Sequence, residues 1–246
     1  MSAAQEKSGS RAVSFIAASP CGSARGVIAG AAVLLRVSGA LWIEAARMLV
    51  VADLHFEKGS AFAERGQLLP PYDTGETLRR LEAEVASLSP RCVVFLGDSF
   101  HDGRAEGRLA PRDAIRLADL ARGRDLIWVV GNHDADGPRL LPGEIAEDLM
   151  IERLMLRHEP RPGGQSGEVA GHLHPSARVV ARGRSVRRRC FVTDGERLVL
   201  PAFGAYAGGL SVRDAAFGNL FVRTPTVVAL GADRAHVVAW ASVAGE

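Results

Sequence analysis

Residues 92–98 read CVVFLGD, residues 126–134 read LIWVVGNHD, and upstream residues 48–55 read MLVVADLH. Each is an unbroken apolar run that halts at an acid or amide. Continuous runs of this length suit strands buried on both faces. Between them, Thr74 to Leu88 places Leu78, Leu81, Val85 and Leu88 at spacings of three and four. It opens with Asp73 and Glu76 as a capping box and meets Pro90, so it is expected to be an amphipathic helix. A second helix is expected from Pro111 to Ala121. Strand, polar tip, helix, strand, polar tip is the pattern of an α/β sheet whose functional residues lie beyond the carboxyl ends of its strands.

Further out, Ala31 to Val37 and Leu41 to Ile43, split by Ser38-Gly39, form a hairpin pattern. Residues 1–24 are rich in Ser, Ala and Gly without a sustained period and are expected to be a flexible arm, leaving 25–246 as one domain. From about Arg153 the chain turns to short β-like runs: Arg153 to Arg157, Ala177 to Ala181, Val186 to Val192, Arg197 to Leu200, Val227 to Leu230 and Ala235 to Ala239. Two sheets packed face to face with helices outside accommodate both halves, and neither an internal repeat nor a linker interrupts them.

The composition fits an ordinary globular chain of 246 residues, with 47% hydrophobic and 24% charged residues. Thirty Lys and Arg against 28 Asp and Glu leave a net charge of +2, so contact with a polyanion must come from local clustering. Cys21, Cys92 and Cys190 are too far apart for a C-x-x-C pair, which disfavours a disulfide framework or thiolate zinc site and points to a reducing cytoplasm. The apolar run from Gly26 to Leu35 is about half the roughly 20 residues that a membrane-spanning helix needs, so no membrane partner is expected.

Histidine is scarce, at seven residues, yet six fall in five short motifs: Asp53-x-His55, Gly97-Asp98-Ser99-Phe100-His101, Gly131-Asn132-His133-Asp134, His158, and Gly171-His172-Leu173-His174. A lone histidine is most often an ordinary core or surface residue, and Asp after Gly is turn chemistry. Three of these tips directly follow apolar strands, so one sheet edge would collect them in one cleft. Imidazole, carboxylate and amide oxygen without thiolate suit Mn, Fe, Zn or similar divalent ions, and there are enough donors for two. A two-metal centre stabilises both the attacking and leaving oxygens of phosphoryl transfer and generates a bridging hydroxide near neutral pH. Phosphoester hydrolysis is the chemistry these motifs predict.

The ordered set D-x-H, G-D, G-N-H-D, H, G-H-x-H resembles the calcineurin-like metallophosphoesterases. That resemblance implies a four-layer α-β-β-α sandwich of two mixed sheets. It implies one metal held by Asp53, His55, Asp98 and His174, and another by Asp98, Asn132, His158 and His172, with Asp98 bridging. His133 would face the scissile phosphate, with Asp134 beside it in the catalytic group. A closer similarity, through DLHFEKGSAFAERGQLLPPYDTGETL, LGDSFHD, GNHD, RHEP, GEVAGHLHP, RRRCFV and LPAFGAYAGGLSV, is to the ligase-associated DNA damage response endonucleases. It implies a manganese-dependent phosphodiesterase and DNA endonuclease, with a DNA ligase, a helicase and an exonuclease-like protein as functional partners. His101 resembles the histidine that lies beside phosphate in the G-D-L-F-H motif of SbcD-type repair nucleases.

The sequence departs from the G-D-x-x-D-R-G and G-N-H-E motifs of protein Ser/Thr phosphatases, which disfavours that activity. The motifs follow one another without room for a cap domain, so the cleft can admit a polymer or a small phosphodiester. Six arginines, Arg178, Arg182, Arg184, Arg187, Arg188 and Arg189, read as a cationic hairpin that either contacts phosphate or guards a sheet edge with charge. Arg187 to Arg189, with Lys58 and Arg65, are the expected substrate contacts. Alternatives on the same residues are a small-molecule phosphodiesterase or phosphomonoesterase, or a DNA-binding module without turnover. The stretch from Gly204 to Gly209 lacks the spacing and lysine of a phosphate loop, and Tyr206 is expected in a turn.

Overall fold

In the computed structural model, which describes residues 16–181 and 184–245, the apolar runs become two packed mixed sheets. The first has eight strands in sequence order: β1 (Ala17–Ala18), β2 (Ala24–Ile28), β3 (Ala31–Leu35), β4 (Leu41–Ile43), β5 (Met48–Val51), β6 (Cys92–Leu96), β7 (Asp125–Val129) and β8 (Glu144–Ala146). Strands β1 to β5 are antiparallel neighbours, whereas β5 to β8 run parallel. Part of the expected N-terminal arm is therefore structured, because Ala17–Ala18 pairs with Ala24–Arg25 at the sheet edge. Residues 1–15 of that arm lie outside the described residues.

The second sheet contains β9 (Asp148–Ile151), β10 (Leu154–Arg157), β11 (Glu168–Ala170), β12 (Pro175–Ala181), β13 (Arg184–Thr193), β14 (Leu198–Val199), β15 (Leu210–Ser211), β16 (Thr226–Leu230), β17 (Ala235–Ala239) and β18 (Val243–Ala244). Its main path runs β15-β12-β13-β14-β11-β10-β9, with β16 on β13, β17 on β16, and β18 on β12.

Strand alternation sorts side chains between two cores. Met48, Val50, Val94 and Leu96 meet Leu154, Leu156, Val169, Phe191 and Val228 between the sheets. Leu49, Val51, Val93, Phe95 and Trp128 face the other way, toward Leu78, Leu81, Val85 and Leu117. Those last four belong to α2 (Asp73–Leu88) and α4 (Pro111–Asp119); α1 (Lys58–Glu64) and α3 (Ala105–Arg108) complete the helices. On the outer face of the second sheet, Val199 packs against Phe217 and Leu220, around the short 3-10 turn Ala215–Phe217. Among the described residues that face carries no α-helix, so its covering layer is made of turns and loops.

The capping box expected at α2 does not form. Tyr72 is the cap residue and makes no side-chain cap bond. Asp73 is buried and accepts a 2.8 Å hydrogen bond from the Gly59 amide, tying α2 to α1. Glu76 pairs with Arg79 and Arg80. Both acids still lie in the first turn, where the helix dipole favours negative charge.

Candidate dinuclear metal centre

Five parallel-paired strands stop along one rim, and each releases a loop that carries expected site residues. Strand β5 leads to Asp53 and His55, β6 to Asp98, β7 to Asn132 and His133, β10 to His158, and β11 to His172 and His174. The first two loops are laced together by the amides of Asp53, His55 and Phe56 donating to the carbonyls of Gly97, Asp98 and Ser99. Asp53, His55, Asp98, His172 and His174 have φ between 44° and 67°, in the left-handed region. That conformation costs a residue with a Cβ roughly 1–2 kcal/mol and is held only where the surroundings dictate it. Among the described residues, half of the ten non-glycine residues with positive φ are thus expected ligands, which concentrates backbone strain at the site.

Two trios gather there: Asp53 with His55 and His174, and Asp98 with His158 and His172, the donor atoms within each lying within 4.8 Å of one another. In the first, Nε2 of His55 and Nε2 of His174 are 3.2 Å apart, and Asp53 Oδ1 is 3.3 Å from the latter. In the second, His158 Nε2 lies 2.9 Å from Asn132 Oδ1, 3.2 Å from His172 Nδ1 and 3.3 Å from Asp98 Oδ1. Asp53 and Asp98 are almost wholly buried, at 0% and 2% exposure.

Proton placement decides what this convergence needs. The Leu96 carbonyl lies 3.3 Å from His158 Nδ1 and takes its N–H. That leaves Nε2 as the nitrogen turned toward two oxygens and a second ring nitrogen, a convergence of donor atoms that suits a cation. Burial, followed by the neighbouring His174 and His133, pulls the His55 pKa down to about 2, keeping that imidazole neutral as a ligand must be. Its Nδ1 is buried without a hydrogen-bond partner. The donor set fits two divalent ions, one at each trio.

Gly97 shows how tightly the loops are packed. Its φ is +74°, and a Cβ there would overlap the His158 ring. The two trios are also linked through backbone, since the His172 amide donates to both oxygens of Asp53 at 3.1 and 3.0 Å.

His133 lies over the centre. Its amide donates to Asp98 Oδ1 at 3.0 Å, its Nδ1 donates to the His101 carbonyl at 2.9 Å, and its Nε2 stands 3.9 Å from Asp98 Oδ2. The His101 and His133 rings stack with centroids 5.7 Å apart. Burial, then Lys58 and His133, lowers the pKa of His101 below the usual histidine value.

Asp134, expected in the catalytic group, has a different task. Oδ2 accepts the amides of Ser99 and Phe100 at 2.7 and 3.1 Å, and Oδ1 accepts that of Gly131 at 3.0 Å. Its carboxylate is consumed in joining the β6 and β7 loops, so it positions Asp98 and His133. Burial, with the nearby Asp98 adding to it, raises its pKa. Asp134→Ala leaves three amides without that acceptor and is expected to destabilise the fold by about 2–4 kcal/mol. Chemical denaturation checks this; a cost under about 0.5 kcal/mol would mean the loops hold without it.

The expected substrate cations are distributed unequally. Lys58 reaches the Tyr206 carbonyl at 3.1 Å and lies 5.9 Å from the Phe62 ring centroid, and burial lowers its pKa. Arg65 is exposed on the same side. The run Arg187 to Arg189 does not act as a unit, because strand alternation divides it. Arg187 donates to Ser176 Oγ at 3.0 Å and to the Gly209 carbonyl at 2.6 Å. Arg188 is exposed on the opposite face. Arg189 donates to the Ala202 carbonyl at 2.5 Å, and burial pulls its pKa to about 10, still cationic at neutral pH; it supports the loop rather than facing a substrate. Arg182 lies outside the described residues, as does the side chain of Arg184. Tyr206 donates to the Pro70 carbonyl, in keeping with a turn.

Sequence reasoning missed Phe62, whose ring is 5.9 Å from that of His101, although its four-residue spacing from Lys58 on α1 was a usable signal. It also missed the buried network around His158. Arg157 bonds Asp148 at 2.8 Å and approaches Glu168 at 3.4 Å, while Glu168 pairs with Arg197 at 2.8 Å.

Comparison with known proteins follows the same lines. Residues 46–196 match the calcineurin-like phosphoesterase family. Among solved structures, the chain is similar to the nuclease MPE of Pseudomonas putida, with 28% identity and a TM-score of 0.68 over 88% of this chain and 100% of that one. It also aligns with Yfce, a phosphoesterase from E. coli, at 19% identity and a TM-score of 0.39, covering 78% of this chain and 98% of that one. No curated protein matches the sequence. No described helix is long and apolar enough to cross a membrane. Because the family match spans more than half of the chain and contains both candidate metal-binding trios, this protein belongs to the calcineurin-like phosphoesterases, hydrolysing phosphoesters at a dinuclear divalent-metal centre.

Proposed function

We propose that the chain is a manganese-dependent phosphodiesterase that nicks DNA, in single-stranded or irregular regions, during repair in the cytoplasm. The observation that carries this reading is the 28% identity to a nuclease along that protein's whole length. Ligase, helicase and exonuclease-like protein as functional partners rest on the sequence resemblance alone.

Two divalent ions, held by Asp53, His55 and His174 and by Asp98, Asn132, His158 and His172, would supply a nucleophile at neutral pH and neutralise charge on the phosphoryl oxygens. The chain's own groups do the rest. Asp98, in the second trio, turns Oδ2 toward His55 of the first and fixes the His133 backbone through Oδ1. The His101 carbonyl holds Nδ1–H of His133, which turns Nε2 toward the centre. From there a protonated His133 stabilises the departing oxygen and delivers its proton. His101, stacked on His133, limits its rotation and lies beside the same phosphate. Lys58, at the His55 and His101 edge, adds positive charge where the substrate enters.

The test uses bis-p-nitrophenyl phosphate, p-nitrophenyl phosphate and circular single-stranded DNA, each with Mn, Fe, Zn or Mg. Diester cleavage and DNA nicking, highest with manganese, are expected. Monoester turnover without nicking would replace the nuclease with a small-molecule phosphatase, and binding without turnover would leave a DNA-binding module.

A further inference from the structure

The ground around the centre is electrostatically lopsided. On the His133 side a cavity of about 340 Å³ is lined by Asp102, Glu106 and Asp136 against one arginine, Arg139. On the His158 side one of about 450 Å³ is lined by Glu147, Asp148 and Glu159, with Arg157 and Arg161. Acids outnumber arginines in the lining of both flanks, which disfavours a polyanion there. The remaining side is the Gly204–Gly209 loop, whose Tyr206 and Gly209 carbonyls are gripped by Lys58 and Arg187. That loop abuts the centre, because the Leu210 amide donates to the His174 carbonyl at 3.0 Å.

Strand β12 begins at Pro175, directly after ligand His174, and continues the same surface. Its register against β13 sets Arg178 opposite Arg187 and Ser176 opposite Arg189. Residues directly opposite share a face, so two arginines stand side by side there, a pairing that ordinarily weakens a sheet. Both are exposed. Among the described residues Arg178 has no carboxylate within ion-pair distance. Four residues beyond His174 at about 3.3 Å each, it lies roughly 13 Å along the strand from the ligand.

We infer that a DNA strand leaves the metal centre over the Gly204–Gly209 loop and lies along the β12–β13 ribbon, with Arg187 and then Arg178 holding its phosphates. This track rests on the nuclease reading above and adds Arg178 as the residue that makes the enzyme favour a polymer over a small diester. Base contacts are not required, so the track is sequence-tolerant and salt-sensitive.

The experiment compares the whole chain with Arg178→Ala, Arg178→Glu and Arg178→Lys. It measures binding and cleavage of labelled single-stranded DNA across a salt series, and bis-p-nitrophenyl phosphate turnover alongside. Expected is at least a tenfold fall in the ratio of DNA to small-diester kcat/KM for the alanine and glutamate variants, with recovery in the lysine variant. The salt slope of DNA binding should drop by roughly 0.7, one phosphate contact. If the parent nicks DNA and all three variants keep its ratio and slope, the track is wrong while the nuclease reading stands. If the parent hydrolyses the small diester but neither binds nor nicks DNA, the nuclease reading fails and the track falls with it.

Discussion

Replacing Asp98 with alanine is expected to abolish turnover. Its two oxygens face different trios: Oδ1 is 3.3 Å from His158 Nε2 and Oδ2 is 4.0 Å from His55 Nε2. Metal-based stabilisation of a phosphoryl transition state is worth several kcal/mol, and about 1.4 kcal/mol is tenfold in rate, so the loss should be roughly a thousandfold or more. Metal content, measured by inductively coupled plasma mass spectrometry, should fall below two ions per chain. Asp98→Asn separates charge from scaffolding, since its amide oxygen can still accept the His133 amide. Activity should stay lost while the loop stays in place. A variant with two ions and near-parental turnover would show that Asp98 does not join the two sites.

His133→Ala should leave both ions bound and still cost about 10²–10⁴ in turnover, the usual contribution of a positioned acid or base. Its side chain is 43% exposed, so little packing is lost and the thermal midpoint should hardly move. If the imidazole protonates the leaving oxygen, the loss will be smaller for bis-p-nitrophenyl phosphate, whose phenolate leaves without a proton, than for DNA, whose alkoxide does not. Equal losses on the two substrates would assign His133 to charge stabilisation alone. Loss of a metal ion would move it into the ligand set.

The convergence of the candidate ligands was legible in the sequence because two signals coincide at them: rare metal-binding side chains, and the ends of unbroken apolar runs. Cys92–Leu96 is apolar on both faces because both are buried, so its boundaries could be read directly. The edge strands β8 and β9 escaped notice because most of their residues are at least partly exposed and carry no strong apolar pattern. Helix α1 escaped for a related reason: KGSAFAE mixes Gly and Ser with small apolar residues, and the helix is held by Asp73 and Ser60 contacts formed only in the folded chain.

Residue type also does not reveal direction. Asp134 sits in the G-N-H-D motif, yet its carboxylate points back into the loops. Arg187, Arg188 and Arg189 look alike in sequence until the pairing of β12 with β13 puts one on the exposed track, one on the other face and one under the Ala202–Phe203 carbonyls. The helices expected on both outer faces appear on the first sheet. The second sheet covers its smaller outer core with turns, around Phe217, Leu220 and Phe221.

The most direct measurement is an anomalous-difference map from crystals grown in manganese. The account predicts two peaks roughly 3.5–4 Å apart. One should be bonded by Asp53, His55 and His174, the other by Asn132, His158 and His172, with Asp98 touching both. A single fully occupied peak, or none with these side chains turned from one another, would contradict it.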